Sequence, residues 1–462
     1  MAGIGFILRK LVQRDDLAGV MLGYLYAAVV SSGPWLFTIV SLGLLVLISN
    51  QFLLVEELAE FRIVIIYNFG FSLVFASPVF MVATRFLADL IYDRDVSRAP
   101  GMLFGTLTVL FVLLGPLVGA FYVGYAEMSA WVRVAAIANF FLITGIWLVS
   151  VFMSALKEYS AIARTFAFGM AVALTASVLL APDFSVAGML MGFNLGLAVI
   201  FFDLMARVLA EFPHPVRTPF AFLRYFRTHW EVALAGMIYN MAIWADKWVM
   251  WFAPERSVQA SGLISYPHYD GAMFLAYLAI VPAIALFTFS VETRFFEQYL
   301  RFYQDIQQHA TYERIQRNHR SLWETILESA RNLLVLQVTI AISLILLAPA
   351  LLEWLQASAL QLGMFRFGVL GALFHAFAMF LMIILSYFDA RLKVLFVALV
   401  FLISNTGLTW LSMQWGMVWY GWGYAVAAMI TFAVAYVLTA RHMKRLPYET
   451  FIVRNLSIDM RH

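Results

Sequence analysis

Residues 332–352 read NLLVLQVTIAISLILLAPALL, a run without a single charged side chain. As a helix rising about 1.5 Å per residue, such a run spans roughly 30 Å, the thickness of a bilayer's hydrocarbon core. The pattern repeats outward in both directions. Spans are predicted at 20–48, 61–84, 101–125, 131–155, 161–181, 185–208, 231–253, 271–293, 327–352, 366–388, 393–413 and 418–440. The 462 residues are 63% hydrophobic and only 12% charged, with mean hydropathy +0.86. A soluble domain carries about 25% charged residues. The sequence therefore defines an all-α polytopic membrane protein of twelve transmembrane helices.

Lys and Arg set the expected orientation, because cytoplasmic loops hold the excess of positive charge. With the N-terminus inside, 25 of the 30 fall in inner segments and 4 in outer ones (Arg62, Arg133, Arg256 and Arg366); Lys247 lies within a span. Both termini are expected in the cytoplasm. Met1 to Val20 carries Arg9, Lys10, Arg14, Asp15 and Asp16 with no signal-peptide core. It reads as an amphipathic lead-in. Pro213, Pro215 and Pro219 mark 211–229 as a connector between two six-helix halves, 1–210 and 230–440. Segment 295–325 in the second half reads as a cytoplasmic helix, and 441–462 as a cytoplasmic tail. Thr84-Arg85-Phe86 and Thr293-Arg294-Phe295 recur at an offset of 209, as do Trp35 and Trp244. Six spans per half would make the repeats parallel, related by a pseudo-twofold axis along the membrane normal with a path between them.

Cysteine is absent, which removes disulfides, thiolate metal sites and cysteine nucleophiles. No histidine pair has metal-ligand spacing, and no Gly-rich loop leads into Lys and Ser or Thr. An enzyme is not expected, nor is a metal or cofactor. What stands out is Asp246 next to Lys247 inside the seventh span. Neighbours on a helix point about 100° apart, so each is expected to meet a partner on another helix or in a cavity. A structural ion pair is one reading; lining a watery path is the other, and it is the default for charges inside spans.

Arg85 and Arg294 end matching spans and are candidate cations at an inner mouth, with Glu292 a local partner for Arg294. Ser31-Ser32-Gly33-Pro34-Trp35 is expected to break the first span. Asn68, Asn240 and further amides suit a hydroxyl-rich substrate if they face a lumen, and ordinary helix–helix bonding if they do not. Trp35 and Trp244 offer ring faces to sugars.

Several strings resemble the PelG family of exopolysaccharide transporters, within the superfamily of multidrug, oligosaccharidyl-lipid and polysaccharide (MOP) exporters. They are Met1-Ala2-Gly3-Ile4-Gly5-Phe6, the break at 31–35, Ala245-Asp246-Lys247-Trp248, and Ser265-Tyr266-Pro267-His268-Tyr269-Asp270-Gly271-Ala272-Met273-Phe274. The resemblance covers essentially the full length. It implies two six-helix bundles in a V, in the bacterial inner membrane. It implies export of a polymer rich in N-acetylgalactosamine and N-acetylglucosamine, as in a biofilm matrix. It also implies PelD- and PelE-like membrane partners and a PelF-like cytoplasmic glycosyltransferase. The alternative is a flippase for a lipid-linked oligosaccharide. Drug exporters of the superfamily use a carboxylate in the first span for cation coupling; this chain has none in 20–48.

Overall fold

The computed structural model describes residues 17–156 and 158–448, with side chains from Ser32 on apart from Glu292 and Thr293. The expected lead-in and the end of the tail therefore lie outside the described residues, as do the side chains of Ser31 and Glu292. The helices are α1 (Leu17–Ser49), α2 (Val55–Tyr92), α3 (Ala99–Gly119), α4 (Ala130–Ala155), α5 (Tyr159–Glu211) and α6 (Trp230–Met250). A small antiparallel hairpin of β1 (Ser257–Val258) and β2 (Ile264–Ser265) follows. Then come α7 (Pro267–Tyr277), α8 (Val281–Ser290), α9 (Phe296–Gln307), α10 (Tyr312–Trp354), α11 (Gln361–Tyr387), α12 (Arg391–Trp415) and α13 (Trp422–Tyr448). Among the described residues, ten helical segments are long and apolar enough to cross a membrane.

One of the ten, α5, has 53 residues, about 80 Å of helix and far more than one crossing needs. Ser185, at φ 51° and ψ −133°, divides it into two arms. The arms fold back on each other through small residues. A Cβ on Gly192 would sit 2.2 Å from the Ser177 nitrogen, and one on Gly196 2.3 Å from the Gly169 carbonyl oxygen. Close backbone approach of this kind is how small residues hold membrane helices together. The fifth and sixth expected spans are these two arms. The seventh is α6, whose 21 residues include three charged side chains. The segments are consistent with twelve crossings; the pseudo-twofold axis stays an expectation.

Residues Val29–Asp270 form one compact unit, and those from Gly271 onward belong to the other. In the first unit α6, which the sequence reading assigned to the second half, packs along α2. The connector lies against α3, where Gly101 and Gly105 admit the Arg217 and Pro219 carbonyl oxygens. The helix of α1 runs unbroken through Pro34, unlike the expected break. Proline removes only one intrahelical bond, and the Thr38 hydroxyl donates to the Pro34 carbonyl at 2.8 Å.

In the second unit α11 and α13 pack together over a core that includes Phe365, Val369, Tyr424 and Ala428. The expected 295–325 helix is a hairpin of α9 and the start of α10. Buried Asp305 on α9 accepts from Arg314 (2.9 Å) and from Asn318, and Phe302 and Leu322 are fully buried.

Candidate functional site

The site grows from one feature of α6. Trp244, Trp248 and Trp251 recur at i, i+4 and i+7, one stripe at about 100° per residue. The stripe faces α2. The Trp244 indole lies over Gly70, where a Cβ would come within 3.1 Å of the ring. Phe71 stacks on Trp248 with centroids 5.1 Å apart and planes 10° apart. Tyr67 stacks on Trp251 at 4.7 Å and 6°. Asn240, half-buried, lies one turn before Trp244 on the same face.

Tyr67 also anchors the hairpin. Its hydroxyl donates to the Ile264 carbonyl at 2.8 Å and accepts from the Ile264 amide at 3.1 Å. The Tyr125 hydroxyl adds a bond to the Gly262 carbonyl at 3.1 Å. The segment running out of α6 is thus tied to Tyr67 on α2 and to Tyr125 beyond α3.

Asp246 is on the other side of α6. Its side chain is 0% exposed and that of Lys247 is 10%. Lys247 Nζ reaches the Asp246 oxygens at 3.0 and 3.1 Å and donates to the Ile243 carbonyl at 3.2 Å. The neighbours therefore pair with each other, because a four-carbon stem spans the angle between adjacent positions. Buried Tyr269 donates its hydroxyl to Asp246 at 3.1 Å. Asp270, the next residue, accepts from the Trp251 indole N–H at 3.1 Å and the Tyr266 amide at 3.1 Å. Burial pushes the Tyr266 phenol up to about 12. Asp246 and Lys247 of α6 thus meet the start of α7 through one polar cluster. Asp270 is not among the residues that the sequence singles out. Its signal was an acid one turn into a helix that opens with proline.

Other candidates fall elsewhere. Asn68 is buried and bonded on both side-chain atoms. It donates to Asn139 Oδ1 and the Ala136 carbonyl, both at 2.9 Å, and accepts from the Tyr122 hydroxyl at 2.6 Å. Asn139 passes the chain to Asn194 at 2.8 Å. This network joins four elements of the first unit. Arg85 is exposed and 3.5 Å from Asp89. Tyr225 lies beside them; burial first, then the Asp89 charge, raises its phenol pKa. Arg294 is exposed and pairs with Glu328 at 2.8 Å. Trp35 is 37% exposed on α1. No cluster of three metal-ligating side chains occurs among the described residues.

The fold is shared with solved transporters. An outward-facing conformation of a multidrug resistance MATE family transporter of the MOP superfamily aligns with TM-score 0.61 at 15% identity. That alignment covers 91% of this chain and 96% of the other. A MOP superfamily transporter from Pyrococcus furiosus aligns at 0.61 with 14% identity over the same shares. An inward-facing MATE transporter aligns at 0.57 with 16% identity, covering 91% and 95%. No curated protein matches the chain. The architecture is therefore that of a MOP-type transporter, an α-helical multi-pass membrane protein. Residues 1–451 match the PelG exopolysaccharide exporter (EPS-E) family, and the chain belongs to it. The resemblance read from the sequence strings is borne out.

Proposed function

We propose that this exopolysaccharide exporter carries a growing, N-acetylhexosamine-rich polymer across the bacterial inner membrane, with both termini in the cytoplasm. The observation that carries the polymer reading, against a lipid-linked pyrophosphate, is the state of the cations. Lys247 is neutralised by Asp246, Arg85 lies beside Asp89, and Arg294 pairs with Glu328. A pyrophosphate would have to compete with a carboxylate at each. A neutral glycan needs hydrogen-bonding groups and ring faces, which the α2–α6 region supplies. Related folds are known in outward- and inward-facing forms, and the same alternation would move a polymer stepwise.

The polymer must be handed over without diffusing away, so a PelF-like glycosyltransferase and PelD- and PelE-like membrane proteins are the partners this reading requires. The α9–α10 hairpin is the proposed cytoplasmic docking element. The test is complementation. In a producing strain lacking its exporter, this chain should restore secreted polymer, and glycosidases specific for N-acetylhexosamine linkages should degrade it. Restored lipid-linked oligosaccharide turnover without secreted polymer from an associated synthase would favour the flippase.

A further inference from the structure

The rings between α2 and α6 meet face on face. Aromatic pairs in proteins adopt offset-stacked or edge-on geometries, and many ring pairs elsewhere in this chain are edge-on or tilted. Here the planes are nearly parallel at 6° and 10°. On α2 the rings recur at positions 67, 71 and 75, every fourth residue. Each step along the helix is about 6 Å, comparable to one pyranose unit of an extended polymer. Between the two stacks, Tyr67 and Phe71 meet at a tilt, with centroids 5.5 Å apart and planes 59° apart. Phe71 stacks on Phe75, which is 38% exposed, and Tyr67 stacks through Phe121 toward Tyr125, which is 55% exposed.

The Trp248 indole N–H is a second, independent observation. It is buried and has no hydrogen-bond acceptor among the described residues. A buried donor left unmade is costly, and such groups in native structures call for a reason. A sugar hydroxyl or acetamido carbonyl lying against the ring would accept from it. Asp270, already on the Trp251 indole, can in turn accept from sugar hydroxyls.

We propose that Tyr67, Phe71, Trp248 and Trp251 form a sugar-stacking ladder for the exported polymer, closed ring on ring in this conformation. The ladder rests on the polysaccharide-export reading. Parting of α2 from α6 exposes the ring faces, and sugar faces replace ring faces.

The test uses the full chain in a producing strain deleted for its own exporter, with secreted polymer measured per molecule of exporter in the membrane. Trp248→Leu and Trp251→Leu keep bulk but remove the ring, and should lower export at least tenfold. Trp251→Phe keeps a stacking face and should stay within about threefold of the unaltered chain, while Trp248→Phe, which keeps the face but loses the indole donor, should fall between it and the Leu variants. Leu variants exporting at the unaltered rate would overturn the ladder. A second arm covers misfolding. The chain has no cysteine, so Gly70→Cys with Trp244→Cys can be bridged by a bifunctional thiol reagent, each sample serving as its own unbridged reference. Bridging should cut export at least tenfold, with recovery on reductive cleavage. Unchanged export after bridging would show that the rings never part, and would sink the proposal. Failure of the unaltered chain to restore any secreted polymer would instead remove the export reading itself.

Discussion

Lys247 turns back on Asp246, its neighbour in sequence, and holds both carboxylate oxygens within 3.1 Å. With Tyr269 donating to Asp246 at 3.1 Å, the pair pins α6 to the start of α7. Removing one partner of a buried pair costs about 3–5 kcal/mol, whereas replacing both is often neutral. Asp246→Asn or Lys247→Met alone should therefore lower the amount of protein in the membrane several-fold. The double variant should restore both amount and export, read by immunoblot and secreted polymer. Restored amount with export still lost would assign the pair to the substrate path.

The Asn68 network gives a parallel case without charge. Asn68→Leu leaves the Tyr122 hydroxyl and Asn139 without their partner inside the first unit. Interhelical hydrogen bonds in membrane proteins contribute about 0.6 kcal/mol each on average, and buried orphans cost about 1–3 kcal/mol. Thermal unfolding in detergent should show a Tm several degrees lower. Export should fall only in proportion to protein amount. A loss of export at full amount would place Asn68 on the path.

Much of this was legible in the sequence, for definite reasons. Long apolar runs report a membrane fold directly, because a bilayer demands about 20 apolar residues per crossing. The strings around Asp246 and Tyr266–Phe274 carried the family. The pairing of Asp246 with Lys247 was not legible, because helix geometry fixes where Cβ points and not where a flexible Lys stem ends. The role of Asn68 was hidden too: an amide inside a span looks the same whether it faces a lumen or three other helices. The tryptophan stripe was visible at i, i+4 and i+7, but only the packing of α2 against α6 shows what it meets. The glycines at 188, 192 and 196 were a readable sign of close helix packing that the apolar count passed over.

Ser185 tests the turn between the arms of α5. Its φ of 51° with ψ of −133° is strained for a residue with a Cβ. Its hydroxyl donates to Glu57 Oε1 at 2.5 Å, while Glu57 Oε2 accepts the Leu54 amide at 2.9 Å at the start of α2. Ser185→Ala keeps the strain and loses a charge-assisted bond, a cost of about 1.5–3 kcal/mol. Ser185→Gly loses the same bond but relieves strain of about 1–3 kcal/mol. The Gly variant should therefore unfold within a degree or two of the unaltered protein, and the Ala variant clearly below it. Equal Tm values for the two variants would mean that the backbone at 185 is unstrained.

The α9–α10 hairpin separates folding from docking. Arg314 bonds buried Asp305 and holds the hairpin closed. Arg317 is exposed, and Arg320 pairs with exposed Glu324. Arg317→Glu with Arg320→Glu should weaken co-purification with the synthase complex at normal protein amount. Arg314→Glu should lower the amount itself. Full co-purification and full export by the Arg317/Arg320 variant would make the hairpin a connector.

Arg85 and Arg294 decide between polymer and lipid-linked substrate. Each is exposed and each lies beside a carboxylate, Asp89 at 3.5 Å and Glu328 at 2.8 Å. Exposed pairs of this kind stabilise a fold by about 0–1 kcal/mol, so replacing both with Gln should leave protein amount unchanged. A pyrophosphate headgroup bound by these guanidiniums would gain charge-assisted bonds of about 1.5–3 kcal/mol each. Losing two such bonds would reduce transport by roughly two to four orders of magnitude, at about 1.4 kcal/mol per factor of ten. A neutral glycan needs donors, and Gln keeps donors. The expected outcome for the Arg85→Gln, Arg294→Gln variant is secreted polymer within a few-fold of the unaltered chain. Abolished transport at normal protein amount and with the synthase still bound would move the assignment to a flippase for a lipid-linked oligosaccharide.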